Sequence, residues 1–357
     1  NESRQSNSDD SVRKRPFSTP YSLSTENCGL PDRQPDHSDS EIRERILNGT
    51  DAIIGAWPWQ VEVRSSDRHI CGGALIGPRY VLTSAHCLTE FTLSSLKIRL
   101  GSYSSSTNEN ASEEAIDTIC IHPAYNESGD EYDIAIIKLK NSVNCSQNIK
   151  TVCLPDKNDE PDCDHPMYMA GWGYKEPLEY NDQFLSWNAE GISLKNYENV
   201  QEESDSENES QKEDKDTSPS EYEYEYDSSE FATPTSEVHN EVPEMLQQAQ
   251  VQLISNDVCA KLMNESSIST NIVCANHNFG SFCLGDSGGP LVYKNKDGRW
   301  NLMGLVSATE MPCNVTHIPM LFIRIKPFME NFIMPCIQNS TCECKPRHKM
   351  LVDNDIP

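Results

Sequence analysis

The chain has 357 residues and a formal net charge of −27 at pH 7, with 29 Lys and Arg against 56 Asp and Glu. So negative a chain is repelled by nucleic-acid backbones and by anionic membrane surfaces, and we exclude both as expected partners. No uninterrupted run of about 18 apolar residues occurs, so we expect no membrane span. The sequence begins without Met or an apolar leader, and we expect that a secretory signal has been removed.

Residues 1–45 are rich in Ser, Asp, Arg and Pro and poor in apolar residues. Such a segment cannot bury a core of its own, and we expect it to be mostly extended. Residues 46–337 without an atypical acidic stretch at 174–244 are long enough for one packed unit. Residues 338–357 form a polar tail that contains cysteines.

Two motifs in the first half of the chain supply an imidazole and a carboxylate. They are Ala85-His86-Cys87 and Asp133-Ile134-Ala135. We assign His86 as a general base for a serine nucleophile, because a serine hydroxyl is weak until a neutral imidazole takes its proton. The imidazole needs a buried carboxylate on its other ring nitrogen, and Asp133 enters an apolar run at a strand-like position.

The stretch at 174–244 is the most individual feature of the sequence. Its part from 198 to 230 carries fourteen Asp and Glu against two Lys and has few apolar residues, so we expect it to be disordered. We expect it to act as an anionic tether for a basic protein. The alternative is a solvated, glycosylated spacer.

The third motif is Gly285-Asp286-Ser287-Gly288-Gly289-Pro290, in which Ser287 is the candidate nucleophile. The flanking glycines allow a turn tight enough for the amides of Gly285 and Ser287 to point together at a developing oxyanion. The order His86, Asp133, Ser287 therefore predicts acyl transfer by a catalytic triad.

Fourteen cysteines and nine Asn-X-Ser/Thr sequons indicate an oxidising and glycosylating route, so we expect a secreted protein.

Seven ordered stretches resemble the chymotrypsin-like serine proteases. They are Trp57-Pro58-Trp59-Gln60-Val61, Cys71-Gly72-Gly73-Ala74-Leu75-Ile76, Leu82-Thr83-Ser84-Ala85-His86-Cys87, Asp133-Ile134-Ala135-Ile136, Val152-Cys153-Leu154-Pro155, Gly171-Trp172-Gly173 and the motif around Ser287. The resemblance implies an all-β fold of two six-stranded antiparallel β-barrels, with the active site between them. It also implies a closing helix near 324–334 that packs on the second barrel, with Phe328, Phe332 and Ile325 inward.

The same resemblance implies four disulfide bonds. They pair Cys71 with Cys87, Cys259 with Cys274, Cys283 with Cys313, and Cys28 with Cys153. The pairing of six further cysteines stays open, namely Cys120, Cys145, Cys163, Cys336, Cys342 and Cys344. Tyr293 stands where the usual partner of Cys163 would be, so we expect Cys163 to have a new partner. A metal site at Cys342 and Cys344 is the less favoured alternative to disulfides, and we expect neither a metal nor a cofactor.

The resemblance further implies a zymogen. Cleavage after Arg45 would free Ile46, whose ammonium group would pair with Asp286 beside the nucleophile. Before cleavage, His69 is a candidate partner for Asp286, and a barrel histidine without this role is the alternative. Cys28 would keep the 1–45 piece attached as a light chain.

The predicted specificity pocket departs from that of trypsin. By resemblance, Ser281 occupies the position of the trypsin aspartate, so no buried anion awaits Lys or Arg. Phe282 adds bulk, and Thr309 and Met320 replace glycines that would open the slot. Ser307 lies on the strand that pairs with substrate backbone. We predict a preference for small or medium apolar residues, as in elastase.

The sequence thus predicts a secreted serine endopeptidase that acts on proteins or peptides and is activated by a separate trypsin-like protease. The alternative function is a catalytically idle homologue that serves as an extracellular binding or regulatory protein on a protease scaffold.

Overall fold

The computed structural model describes residues 27–35, 49–106, 111–157, 160–174, 243–277, 281–308, 313 and 318–339. Arg45, Ile46, Thr309 and nearly all of the acidic stretch at 174–244, with its predicted disorder, lie outside these residues.

Thirteen strands follow one another along the described residues. They are β1 Thr50–Asp51, β2 Gln60–Ser65, β3 Arg68–Gly77, β4 Tyr80–Thr83, β5 Leu96–Leu100, β6 Ser112–Ile121, β7 Ala135–Leu139, β8 Met167–Gly171, β9 Gln247–Ile254, β10 Ile272–Asn276, β11 Pro290–Lys294, β12 Trp300–Ala308 and β13 Met320–Arg324. Only short helical segments accompany them, including the helix Asn256–Leu262. The described chain is therefore all-β.

Two closed antiparallel barrels account for twelve of these strands. The first has the order β2-β3-β4-β7-β6-β5. The second has the order β9-β10-β13-β12-β11-β8 and closes where β8 pairs with β9. β1 adds an edge to the second barrel by pairing Thr50 with Gln248. The predicted fold of two six-stranded barrels is confirmed.

The hairpin of β2 and β3 illustrates how the sequence specifies the barrels. Val61 and Val63 are fully buried, as the period of two along a strand requires for inward-facing residues. Between the strands, Ser66 and Asp67 have φ values of 46° and 66°. Two positive φ values form the two-residue turn whose twist matches the flanking strands.

The last described residues form a 3₁₀ turn at Lys326–Phe328, a π-helical turn at Met329–Ile333 and an α-helix at Met334–Asn339. Ile325, Phe328 and Phe332 are buried, as predicted. Phe328 and Phe332 contact the ring of His122, at 5.3 and 4.8 Å between ring centroids, and Phe328 also contacts Tyr132 at 6.2 Å. His122 directly follows β6, so the closing segment packs on the first barrel, where we expected the second.

All four disulfides implied by the resemblance are present: Cys28–Cys153, Cys71–Cys87, Cys259–Cys274 and Cys283–Cys313. Cys120 and Cys336 are also disulfide-bonded, but not to each other, because their Sγ atoms lie 3.8 Å apart and the sulfurs of a disulfide lie about 2.05 Å apart. The prediction of a new partner for Cys163 was wrong, because Cys163 is a free and exposed thiol, as is Cys145. The buried ring of Tyr293 occupies the place of the missing cysteine and contacts His165 edge-on at 5.6 Å.

Candidate active site

His86 and Asp133 are brought together by two neighbouring strands. Thr83 at the end of β4 pairs with Ala135 at the start of β7. His86 follows β4 and Asp133 precedes β7, so the two residues meet at the same end of the barrel. The Asp133 carboxylate accepts a 2.9 Å bond from the His86 backbone N–H, and its Oδ2 lies 2.7 Å from His86 Nδ1. Asp133 is 3% exposed, whereas the His86 side chain is 39% exposed.

Burial and charge act in opposite directions on this pair. Burial alone would raise the pKa of Asp133, but the charge of His86 and hydrogen bonds from His86 and Ser307 lower it overall. Burial would lower the pKa of His86, but the Asp133 carboxylate, with weaker contributions from Asp130 and Glu90, raises it overall. The pair is therefore suited to a histidine that gains a proton beside an ionised aspartate.

The loop that carries Ser287 lies against the strand end that carries His86. The backbone oxygen of Ser287 accepts a 2.8 Å bond from the Gly72 N–H. The same oxygen lies 3.7 Å from Cys87 Sγ, and His86 Nε2 lies 3.7 Å from that sulfur. The structure thus brings all three predicted triad residues into one place. Within the described residues, the Ser287 hydroxyl makes no hydrogen bond, and such contacts are often long without substrate.

Gly288 explains why this loop needs glycine. Its φ is 76°, and a Cβ there would lie 2.2 Å from Thr83 Oγ1 and 2.8 Å from the Gly72 oxygen. The Gly288 N–H donates to the Val306 oxygen at 2.7 Å. The Ser287 loop therefore packs closely between the two barrels, against Thr83 and Gly72 of the first and Val306 of the second.

The amides of Gly285 and Ser287 have no acceptor among the described residues, although their neighbours are bonded. The Leu284 oxygen accepts from the Tyr174 N–H at 3.0 Å, and the Asp286 N–H donates to the Cys283 oxygen at 3.0 Å. Gly285 has a φ of 94°. Because backbone N–H groups inside proteins are nearly always paired, two free amides beside Ser287 form a candidate anion-binding site.

Asp286 points away from the cleft into the protein. It is 3% exposed, and its carboxylate accepts bonds from the N–H groups of Gly173 at 2.8 Å and Cys283 at 3.0 Å. A Cβ on Gly171 or Gly173 would lie about 2 Å from an Asp286 oxygen, so both glycines are required by this carboxylate. Burial raises the pKa of Asp286 to about 6, although the two N–H bonds and the charge of His69 lower it in part.

The predicted pocket residues are well packed. Ser281 is buried, and its hydroxyl donates to the Cys313 oxygen at 3.0 Å. The ring of Phe282 packs edge-on against Phe322 at 5.3 Å, within the core of the second barrel. Met320 is fully buried in the same core.

Ser307 has a contact that sequence reasoning missed. Its hydroxyl donates to Asp133 Oδ2 at 3.0 Å. The two residues are 174 positions apart and belong to different barrels, so no local pattern in the sequence could have revealed the contact.

One group of possible metal ligands occurs among the described residues, namely Cys71, His86 and Cys87. The two sulfurs are joined in a disulfide and are not available as thiolate ligands. No helix in the described part of the chain is both long and apolar enough to cross a membrane.

Comparison with known proteins agrees with this geometry. The Trypsin family model matches residues 46–220 and 230–331. Chymotrypsin-C of Rattus norvegicus is 28% identical over 311 residues, which cover 84% of this chain and 90% of that protein. Coagulation factor XI of Bos taurus and transmembrane protease serine 11G of Rattus norvegicus are each 26% identical, covering 82% and 89% of this chain. The matched parts span only 38% and 63% of those two proteins. The chain belongs to the trypsin family of serine proteases.

Proposed function

We propose that the protein is a secreted serine endopeptidase in which His86, Asp133 and Ser287 form the catalytic triad. The observation that carries the proposal is the short contact between His86 Nδ1 and the buried Asp133 carboxylate, beside the loop of Ser287. Asp133 holds the ring so that Nε2 faces the nucleophile. His86 takes the Ser287 proton during attack on the scissile carbonyl and later gives it to the leaving amine.

The free amides of Gly285 and Ser287 support an oxyanion hole in this mechanism. As Ser287 attacks, negative charge develops on the carbonyl oxygen of the substrate, and two fixed N–H donors stabilise it without reorganisation. An acyl-enzyme forms, the amine leaves with the proton from His86, and water then attacks the acyl carbon with His86 again as base.

Activation by cleavage after Arg45 is supported by the environment of Asp286. A buried carboxylate without a cation is unfavourable, and its raised pKa reflects that cost. The ammonium group of Ile46 would pair with it and stabilise its charge. The 1–45 piece would remain attached through Cys28–Cys153 and through bonds of Gly29 to Thr151 and Trp300 at 2.8 and 2.9 Å.

The pocket residues favour small or medium apolar side chains on the acyl side of the scissile bond. Ser281 offers no negative charge to Lys or Arg, and its hydroxyl is already bonded to the Cys313 oxygen. By resemblance, Thr309 adds a side chain where glycine would open the slot. The predicted bulk of Phe282 in the pocket is not retained, because its ring packs on Phe322 in the core of the second barrel. An enzyme with such a pocket would not cleave its own Arg45 junction efficiently, so a separate trypsin-like protease would activate it.

Secretion is supported by the four disulfides, since such bonds persist in oxidising compartments. Three sequon asparagines, Asn126, Asn144 and Asn264, are exposed and accessible to glycosylation. The acidic stretch at 174–244 would attract a basic protein partner or substrate. Added salt would weaken this attraction, as is typical of exposed charges.

The packing around Ser281, which is buried with its hydroxyl bonded to the Cys313 oxygen, also favours a second candidate function, a binding protein on a protease scaffold whose pocket admits no substrate side chain. Hydrolysis of a positional-scanning peptide library separates the two. We expect protein cleaved after Arg45 to hydrolyse peptides after Ala, Val or Leu, and Ser287→Ala to be inactive. Strong cleavage after Lys or Arg would contradict the pocket assignment, and no hydrolysis of any peptide would favour the binding protein.

A further inference from the structure

Residues 122–134 form the loop that joins β6 to β7, here called the 122–134 loop. At its base, the His122 N–H donates to the Ile134 oxygen at 3.1 Å. Tyr125 within the loop is buried, and its side chain hydrogen-bonds to Thr89, next to the short 3₁₀ turn that begins with the proposed general base. The loop is therefore fixed at the end of the first barrel where that base meets its aspartate.

The tip of this loop is a turn that projects into solvent. Asn126 and Gly129 pair as an isolated antiparallel bridge, and the Gly129 N–H donates to the Asn126 backbone oxygen at 3.1 Å. All residues from 126 to 131 are exposed. A Cβ on Gly129 would meet no atom within 4 Å. The space around the tip is therefore open among the described residues.

The tip carries one of the sequons, Asn126-Glu127-Ser128. Its asparagine is the acceptor for an N-linked glycan on the secretory route. In the folded protein, the Asn126 side-chain amide donates to the Ser128 hydroxyl at 2.8 Å. An asparagine amide has two N–H groups, so this bond uses one and leaves the other for the sugar. The turn can therefore hold a glycan at Nδ2 and keep its own hydrogen bond.

The sequon lies only a few residues from the active site. Asp130 directly follows the turn, and its backbone oxygen accepts a 3.3 Å bond from the Asp133 N–H. The charge of Asp130 also acts on His86, whose side chain is 39% exposed. The loop thus borders the open side of the proposed general base. A group attached at Asn126 would stand beside the entrance to the cleft.

We propose that Asn126 carries an N-linked glycan at the edge of the cleft and that this glycan excludes folded proteins while it admits peptides and flexible segments. The inference rests on the proposed function, because it needs both the secretory route and a reactive Ser287. An N-linked glycan is bulky and hydrated. An extended peptide passes beside such a group, whereas a folded protein brings a wide surface against it. The substrate class is therefore flexible polypeptide.

The first measurement is the occupancy of the site and needs no activity. Full-length protein is secreted from a eukaryotic host, and its peptides are compared by mass spectrometry before and after an N-glycosidase. We expect a glycan on Asn126 in wild-type protein and in Ser128→Thr, which keeps the sequon. We expect none in Asn126→Gln or Ser128→Ala. An unoccupied Asn126 in wild-type protein would overturn the inference even if the protein is an active peptidase.

The second measurement compares two probes of Ser287 on full-length protein cleaved after Arg45. One is a small fluorophosphonate, and the other is the same group joined by a short linker to folded streptavidin. We expect Asn126→Gln and Ser128→Ala to react with the streptavidin probe about tenfold faster than wild type, a change typical of association rates among variants of one interface. The small probe should react equally with all of them. Ser128→Thr is the matched control and should behave as wild type with both probes.

A second control tests whether the position of the glycan matters. Asn144 is also an exposed sequon asparagine, but it lies beyond the end of β7 that is remote from Asp133. Asn144→Gln should not change the rate with the streptavidin probe. Equal acceleration in Asn144→Gln and Asn126→Gln, or no acceleration in Asn126→Gln when the wild-type site is occupied, would overturn the proposal. No reaction of any variant with the small probe would instead count against the proposed function.

Discussion

The Ser307 hydroxyl of β12 donates a 3.0 Å hydrogen bond to Oδ2 of Asp133, the oxygen that also faces His86 Nδ1. Asp133 belongs to the first barrel and Ser307 to the second. The packing of one barrel on the other therefore fixes the carboxylate that orients the histidine.

Ser307→Ala removes this bond without removing the carboxylate. A hydrogen bond to a charged group contributes about 1.5–3 kcal/mol. We expect kcat to fall about tenfold with a small change in KM, as measured on a peptide substrate. Ser307→Thr keeps a hydroxyl and is the matched control. An unchanged kcat in Ser307→Ala would show that the contact does not affect catalysis.

Asp133→Asn should lower kcat by about 10⁴, because the amide no longer favours the tautomer and charge that His86 needs. The acidic limb of kcat/KM should change as well. Asp133 raises the pKa of His86, so the wild-type midpoint should lie above the ordinary histidine value of 6.5. Removing the charge should move that midpoint to lower pH in the residual activity. A midpoint that does not move would contradict the assigned pairing.

The buried carboxylate of Asp286 should make the free energy of unfolding of the uncleaved protein depend on pH. Its pKa is raised from 3.8 to about 6, so between these values the folded state binds more protons than the unfolded state. Asp286 therefore contributes about 3 kcal/mol to the free energy of unfolding below about pH 4, and this contribution is lost as pH rises through 6. Relative to wild type, Asp286→Asn should gain about this amount between pH 4 and 7 in urea unfolding.

Cleavage after Arg45 provides the control for this prediction. If the Ile46 ammonium pairs with Asp286, it favours the ionised carboxylate, and the pH-dependent gain of Asp286→Asn should shrink in cleaved protein. A difference between variant and wild type that is independent of pH in uncleaved protein would contradict the assignment.

Gly288→Ala should destabilise the whole fold. The new Cβ would collide with Thr83 and Gly72 of the first barrel, and the φ of 76° is strained for alanine. We expect a loss of about 3 kcal/mol or more in urea unfolding. Gly298→Ala is the matched control, since it has the same φ of 76° but its Cβ would meet only the end of Lys294 at 3.9 Å. Equal losses of unfolding free energy in the two variants would show that backbone strain, and not the collision with the first barrel, causes the effect.

The sequence predicts the barrels, the four disulfides and the residues that converge at the cleft, because these depend on strand periodicity and on motifs that resemble a known family. It does not predict Glu62 as a buried residue. In the strand Gln60–Ser65, polar residues alternate with Val61 and Val63, which is also the pattern of a strand with one face in water. Glu62 is buried by contacts with the side chains of Arg64, His69 and Arg99, which this pattern does not indicate.

Contacts between segments that are distant in the sequence could not be predicted either. Phe282 lies beside a pocket residue in sequence, but its ring packs on Phe322 in the barrel core. The closing segment was expected on the second barrel, yet its aromatic rings contact His122 after β6. Apolar periodicity indicates that a residue is buried, but it does not indicate which neighbour covers it.

Covalent labelling of Ser287 by a fluorophosphonate tests the central claim most directly. In full-length protein cleaved after Arg45, peptide mass spectrometry should find about one adduct per chain, on Ser287. Uncleaved protein should react much more slowly, and His86→Ala in the cleaved form should lose the adduct. The absence of an adduct in folded, correctly cleaved wild-type protein, or an adduct that persists in His86→Ala at the same rate, would contradict the proposed triad.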